Sequence, residues 1–128
     1  MPRTIKITAG DVSALAELRD GAAGDKLWDA LPISNNGSTW GDEIYFGIPV
    51  DIKPKNPQAT VELGDLGYWE PGSAFCIFFG PTPMSRGDEI RPASPVEILG
   101  KIIGDPKVFK TVRSGTKVVI EAASEEGP

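Results

Sequence analysis

Glu43-Ile44-Tyr45-Phe46-Gly47-Ile48-Pro49-Val50-Asp51-Ile52 is the stretch on which the fold turns. Ile44, Phe46, Ile48, Val50 and Ile52 share one parity, and strand side chains alternate between two faces, so the run predicts a strand with one apolar face. Glu43, Tyr45 and Asp51 fall on the other face. Pro49 lacks a backbone donor and marks an edge or a bend within it.

Working outward, short apolar runs recur between turn residues. The chain holds 15 glycines and 12 prolines, and they punctuate these runs as in an all-β barrel or sandwich. Arg3 to Thr8 alternates, with Ile5 and Ile7 on one face. Asp11 to Asp20 suits a helix through Leu15 and Leu18, or a strand through Val12, Ala14, Ala16 and Leu18. Gly24 to Leu31 reads as a short helix capped by Asp25 and stopped by Pro32. Thr60 to Leu63 reads as a short strand ending in a turn at Gly64-Asp65-Leu66-Gly67. Ala74 to Phe79 is apolar on both parities, the pattern of a strand covered on both sides. Val96 to Ile103 is a strand broken by Gly100, Pro106 to Arg113 a helical turn or two, and Lys117 to Ala122 the last strand. The expectation is mainly β: a closed barrel of about eight strands with one or two short helices to plug its ends. Residues 1–123 form a single domain in this reading, and 124–128 a frayed acidic tail.

Composition narrows the function classes. A chain of 128 residues fits one domain with an adequate core. The formal net charge is −5 with no Lys/Arg cluster, which argues against nucleic acid. There are no histidines, so the commonest general base and metal ligand are both missing, and no metal or cofactor is expected. The single cysteine, Cys76, excludes an internal disulfide and reads as a small buried hydrophobe within Phe75-Cys76-Ile77-Phe78-Phe79. No run resembles a signal peptide or a membrane span, so a cytoplasmic, non-membrane protein is expected.

Three segments together resemble a small prokaryotic family, the cyclophilin-like proteins of unknown function. They are Thr39-Trp40-Gly41-Asp42-Glu43-Ile44-Tyr45-Phe46, then Gly67-Tyr68-Trp69-Glu70-Pro71-Gly72 running into Phe75-Cys76-Ile77-Phe78-Phe79-Gly80, and Thr82-Pro83-Met84-Ser85 followed by Pro92-Ala93-Ser94. The resemblance runs from about Ile33 onward; the first thirty residues match mainly in length and strand order. It implies a closed cyclophilin-type barrel and favours a strand over Val12 to Leu18. Prolyl isomerases of that fold use an arginine beside phenylalanine, glutamine, tryptophan and histidine. This chain has no histidine, and Trp40-Gly41-Asp42-Glu43, similar in position to the arginine-bearing segment, carries two acids instead. Arg86 and Arg91 are the alternative donors for an isomerase reading. The same barrel occurs in components of bacterial amide-hydrolysing and sporulation-control complexes, which implies a third role as regulator or partner subunit.

The candidate site gathers Trp40, Glu43, Tyr45, Tyr68, Trp69 and Phe79, with Thr82, Pro83 and Ser85 on its rim. Aromatics around one carboxylate suit an amine, an amide or an apolar peptide edge, so the leading reading is a binding module for a small molecule or an extended peptide. Phe46, Trp69, Phe75 and Phe79 also fit a barrel core without any ligand. Asp42 and Glu43 are adjacent on a strand and point to opposite faces, so they do not make an acid/base pair. Ser85 and Thr82 lack a histidine and read as turn hydroxyls. The loop Gly80 to Pro95, stiffened by Pro81, Pro83, Pro92 and Pro95, reads as a binding rim or a rigid connection. Arg86-Gly87-Asp88 and Asn36-Gly37-Ser38 match adhesion and glycosylation motifs by chance. Tyr68 and Trp69 also suit a subunit interface, in a homo-oligomer or with a protein partner. Glu43 reads as a site residue or as part of a solvated strand face, and as a non-core site Glu43→Gln is expected to alter ligand binding while leaving stability within about 1 kcal/mol.

Overall fold

The structure is a computed structural model and describes residues 3–123. The acidic tail expected at 124–128 lies outside the described residues. Nine strands form one antiparallel sheet: β1 Arg3–Ala9, β2 Val12–Leu18, β3 Ile33–Asn36, β4 Ser38–Thr39, β5 Glu43–Gly47, β6 Asp65–Trp69, β7 Ala74–Phe78, β8 Glu97–Ile103 and β9 Lys117–Ala122. Their order across the sheet is β3-β9-β1-β2-β8-β6-β7-β5-β4. The first and last strands of that order are separated in sequence by Gly37 alone, so the sheet starts and finishes on one extended segment. Ile33 to Asn36 pair with β9, and Ser38 and Thr39 pair with β5. Backbone bonds from Gly37 N–H to the Thr116 carbonyl (2.8 Å) and from Gly115 N–H to the Gly37 carbonyl (2.7 Å) hold the junction. Counted as one, β3 and β4 make this a nearly closed barrel of the kind the sequence leads one to expect.

Parity sets the interior. Ile5, Ile7, Ile44, Phe46, Leu66, Tyr68, Phe75, Ile77, Leu99, Val118 and Ile120 are buried in one apolar cluster. A helix, α1 Ala22–Ala30, and a 3-10 helix at Pro106–Thr111 each add one fully buried side chain to it, Leu27 and Phe109. The ambiguous segment after Asp11 is a strand because Ala16 and Leu18 face this interior and pair with β1 and β8. Helix α1 begins earlier than its sequence signal and carries no side-chain cap. Asp25 does not cap it; its carboxylate accepts from the Arg3 guanidinium, which also lies 5.4 Å from the Trp28 ring.

The decisive run is half ladder and half extended chain. Pairing stops at Gly47, yet Ile48, Val50 and Ile52 remain buried in register with Ile44 and Phe46. The Tyr68 hydroxyl, fully buried, donates to the Val50 carbonyl at 2.8 Å and anchors that unpaired half. Tyr68→Phe should therefore cost roughly 1–3 kcal/mol in urea unfolding, since a buried carbonyl loses its donor. A cost near zero would show that the bond contributes nothing.

Three expectations about the strands are corrected. Thr60 to Leu63 is not a strand; Val61 makes only an isolated bridge to Ile90. Of the supposed turn Gly64 to Gly67, Asp65 onward is the start of β6, and the turn is made by Leu63 and Gly64 (φ 90°), closed by the Asp65 N–H to the Glu62 carbonyl at 3.0 Å. Gly67 sits in the ladder because the loop carrying Val96 lies directly on the sheet there: a Cβ at Gly67 would fall 2.9 Å from Val96 Cγ2. Similarly, Gly100 does not break β8. A Cβ there would come within 2.1 Å of the Glu17 carbonyl oxygen, so glycine permits the close β2–β8 pairing.

Candidate functional site

A second, smaller apolar cluster lies on the outer wall of the barrel. Cys76 and Phe78 from β7, Ile98 from β8, and Ile90 and Val96 from the long loop pack there, with Trp69 and Val61 at the margin. It explains why β7 is buried on both faces, as its unbroken apolar run leads one to expect. The loop is held down by its own polar groups. Ser85 Oγ accepts from the backbone N–H groups of Thr82 and Arg91, both at 3.0 Å. Thr82 Oγ1 donates to the Arg91 carbonyl, and Trp69 Nε1 donates to Ser94 Oγ at 2.6 Å.

Between this loop and the β4–β5 turn opens a cleft of about 280 Å³. Trp40, Glu43 and Tyr45 line one side, Trp69 and Cys76 the floor strands, and Pro92, Ala93 and Val96 the loop side. The register dictates this arrangement. Glu43 opposes Phe78 and Tyr45 opposes Cys76, so the polar-face residues of β5 lie beside the outward face of β7. Trp40 is brought over by the turn, whose Trp40 N–H donates to the Glu43 carbonyl at 2.9 Å.

Glu43 is the unusual member. Only 5 % of it is exposed, and its Oε1 has no hydrogen-bond partner. Burial raises its pKa to about 7, an effect the neighbouring Cys76 thiol lowers only in part. The same burial, with the Glu43 charge second, pushes the Cys76 thiol well above its ordinary value, so it sits protonated and inert at neutral pH. The expectation of a solvated Glu43 is thus corrected: the overlying loop buries a side chain that strand parity alone leaves in water.

Of the nine residues expected at the site, the structure brings together Trp40, Glu43, Tyr45 and Trp69. Tyr68 and Phe79 do not line the cleft. Tyr68 has the parity opposite to Trp69 and points into the barrel, and Phe79 lies in the main core with its ring 6.2 Å from Phe109. Thr82 and Ser85 are loop staples rather than rim groups, and Pro83 abuts Gly41 of the β4–β5 turn. Neither arginine of the isomerase reading lines the cleft. Arg91 is paired to Glu89 at 2.7 Å, and Arg86 is exposed. Sequence reasoning missed Cys76, Pro92, Ala93 and Val96 as lining residues. Only the β5–β7 register, not the apolar run itself, reveals which face Cys76 takes.

A wider, shallower groove of about 950 Å³ crosses β2 and β8. Within it Lys101 Nζ lies 2.7 Å from Glu62 and 3.7 Å from Asp65, and none of its side-chain polar atoms is buried without a hydrogen-bond partner. Among the described residues no set of three or more His, Cys, Asp and Glu converges as for a metal, and no helix is long and apolar enough to cross a membrane.

The nearly closed antiparallel barrel with its short helices is of the cyclophilin type. The chain belongs to the cyclophilin-like family, whose model matches residues 3–121. It is similar to the solution structure of the hypothetical protein AF2241 from Archaeoglobus fulgidus, at 40% identity over 95% of each chain with a TM-score of 0.80. A comparison with curated proteins finds no match.

Proposed function

We propose that this protein is a binding module whose outer-wall cleft takes a small molecule or one side chain of an extended peptide, without covalent chemistry. The observation that carries this reading is the unpartnered Oε1 of buried Glu43 within an otherwise apolar, aromatic cleft. Burying a polar atom without a partner costs free energy, and such atoms are uncommon in folded proteins, so each calls for an explanation. A ligand donor reaching Oε1 supplies the missing bond, while Trp40, Tyr45 and Trp69 cover the ligand's apolar part. At about 280 Å³ the cleft lies just below the size usual for drug-like ligands, which suits a single side chain or a small metabolite.

The test is a titration of isotope-labelled protein with small-molecule fragments and short peptides, both neutral and charged, followed by amide and indole NMR shifts. Binding should move the signals of Glu43, Tyr45, Cys76, Ala93 and the Trp69 indole, and Ala93→Phe, a change at an exposed rim position, should abolish the response. Shifts confined to the Lys101–Glu62 groove, or none anywhere, would overturn the assignment.

A further inference from the structure

We infer that the group this cleft selects is an alkylammonium, a primary or N-methylated amine on a short aliphatic stem, seated among Trp40, Tyr45 and Trp69 with its charge against Glu43. This rests on the cleft being a binding site and adds what it binds.

Charge complementarity carries the inference. An ionised carboxylate out of water calls for an opposite charge, because a neutral donor leaves most of the desolvation cost standing. Within the described residues, no cation pairs with Glu43. Two cations are engaged with other carboxylates: Lys110 Nζ bonds Asp42, the chain neighbour of Glu43, at 3.0 Å, and Arg91, on the loop that lines the cleft, bonds Glu89. The loop facing Glu43 contributes Pro92, Ala93 and Val96, none of them charged, and the floor contributes Trp69 and the protonated Cys76. Tyr45 is the other titratable group on the cleft wall. Once Glu43 is ionised, the single unmatched charge of the site is therefore negative. The wall around it is aromatic, and aromatic rings attract alkylated ammonium groups through their negative faces. An ammonium is a compact point charge whose rotatable donors need no particular acceptor plane, which suits the one unpartnered oxygen, Oε1 of Glu43.

Protonation gives the signature. A cation binds the ionised form of Glu43, which in the free protein titrates at about 7. Affinity should be full above that pH and fall about tenfold for each pH unit below it. A ligand that instead accepts a proton-bearing carboxyl would show the reverse slope.

The experiment compares butylammonium, N-methylbutylammonium and 1-pentanol, and then a lysine-containing tripeptide against its norleucine counterpart, by NMR titration between pH 5.5 and 8.5. The two ammonium ions should bind at least about tenfold more tightly than pentanol at pH 8, as charge pairing out of water implies. Glu43→Gln should remove that preference while its spectrum remains that of a folded barrel. Preference for the lysine tripeptide over butylammonium would identify a peptide side chain as the source of the amine, and the opposite a free amine. Equal binding of pentanol, or affinity that rises as pH falls, would overturn the ammonium assignment while leaving the cleft as a binding site. Silence to every probe would remove both.

Discussion

Unfolding of the wild type and of Glu43→Gln across pH 4 to 8.5 should give stabilities that run together at acid pH and diverge in favour of the variant as pH rises. The cause is the buried carboxyl. Its pKa is about 7 in the folded protein against 4.5 for the ordinary value. Because the folded value is the higher one, the folded state holds the proton more firmly than the unfolded state does. The contribution is fully present below 4.5, declines as pH rises between 4.5 and 7, and is gone above that window. At about 1.4 kcal/mol per pKa unit, the loss from acid to alkaline pH is about 3 kcal/mol. Glutamine carries no titrating proton, and the other carboxylates are common to both proteins, so the difference between the two curves isolates residue 43. A difference independent of pH would mean that Glu43 is hydrated in solution. A bound ammonium should reduce the divergence, since it stabilises the ionised form that burial opposes.

Phe46→Ala should be among the most damaging single substitutions, at about 3–5 kcal/mol. Phe46 is 3 % exposed, its ring lies 5.5 Å from that of Phe75, and both belong to the interior cluster. Truncation would open a cavity bounded by paired strands that cannot close around it. Tyr45, its chain neighbour, points outward and is 36 % exposed, so Tyr45→Ala should cost about 1 kcal/mol or less. Chemical denaturation of the two variants side by side reads the alternation of β5 directly. Comparable costs, or the opposite order, would mean that the two faces are assigned wrongly.

That alternation was the most legible part of the molecule. A two-residue period through Ile44, Phe46, Ile48, Val50 and Ile52 reports which side chains face inward, and it holds even where the ladder ends at Gly47. Where the period is absent, the sequence is silent about faces. Ala74 to Phe78 is apolar throughout, so Cys76 could be placed as buried but not as a wall of the cleft until its partner strand was known. Glycines misled for a physical reason. Gly67 and Gly100 look like turn punctuation, yet both occupy ladder positions because other parts of the chain press on the backbone there. At the cleft, residue type pointed to Trp40, Glu43, Tyr45 and Trp69, whereas the burial of Glu43 depends on a loop about fifty residues further along the chain. No local pattern encodes that contact.

The way the sheet finishes on the segment around Gly37 also bears on how this barrel can meet other molecules. With β3 paired to β9 and β4 to β5, and the Gly47 carbonyl taken by the Asn35 side-chain amide at 2.9 Å, the described sheet presents little unpaired backbone on which another chain could continue the ladder. Two copies have correspondingly little opportunity to stack edge to edge. An extended peptide, for the same reason, finds no template for joining as an extra strand. A molecule meeting this barrel meets side chains rather than free backbone, so shape and charge, not ladder hydrogen bonds, set the terms of contact.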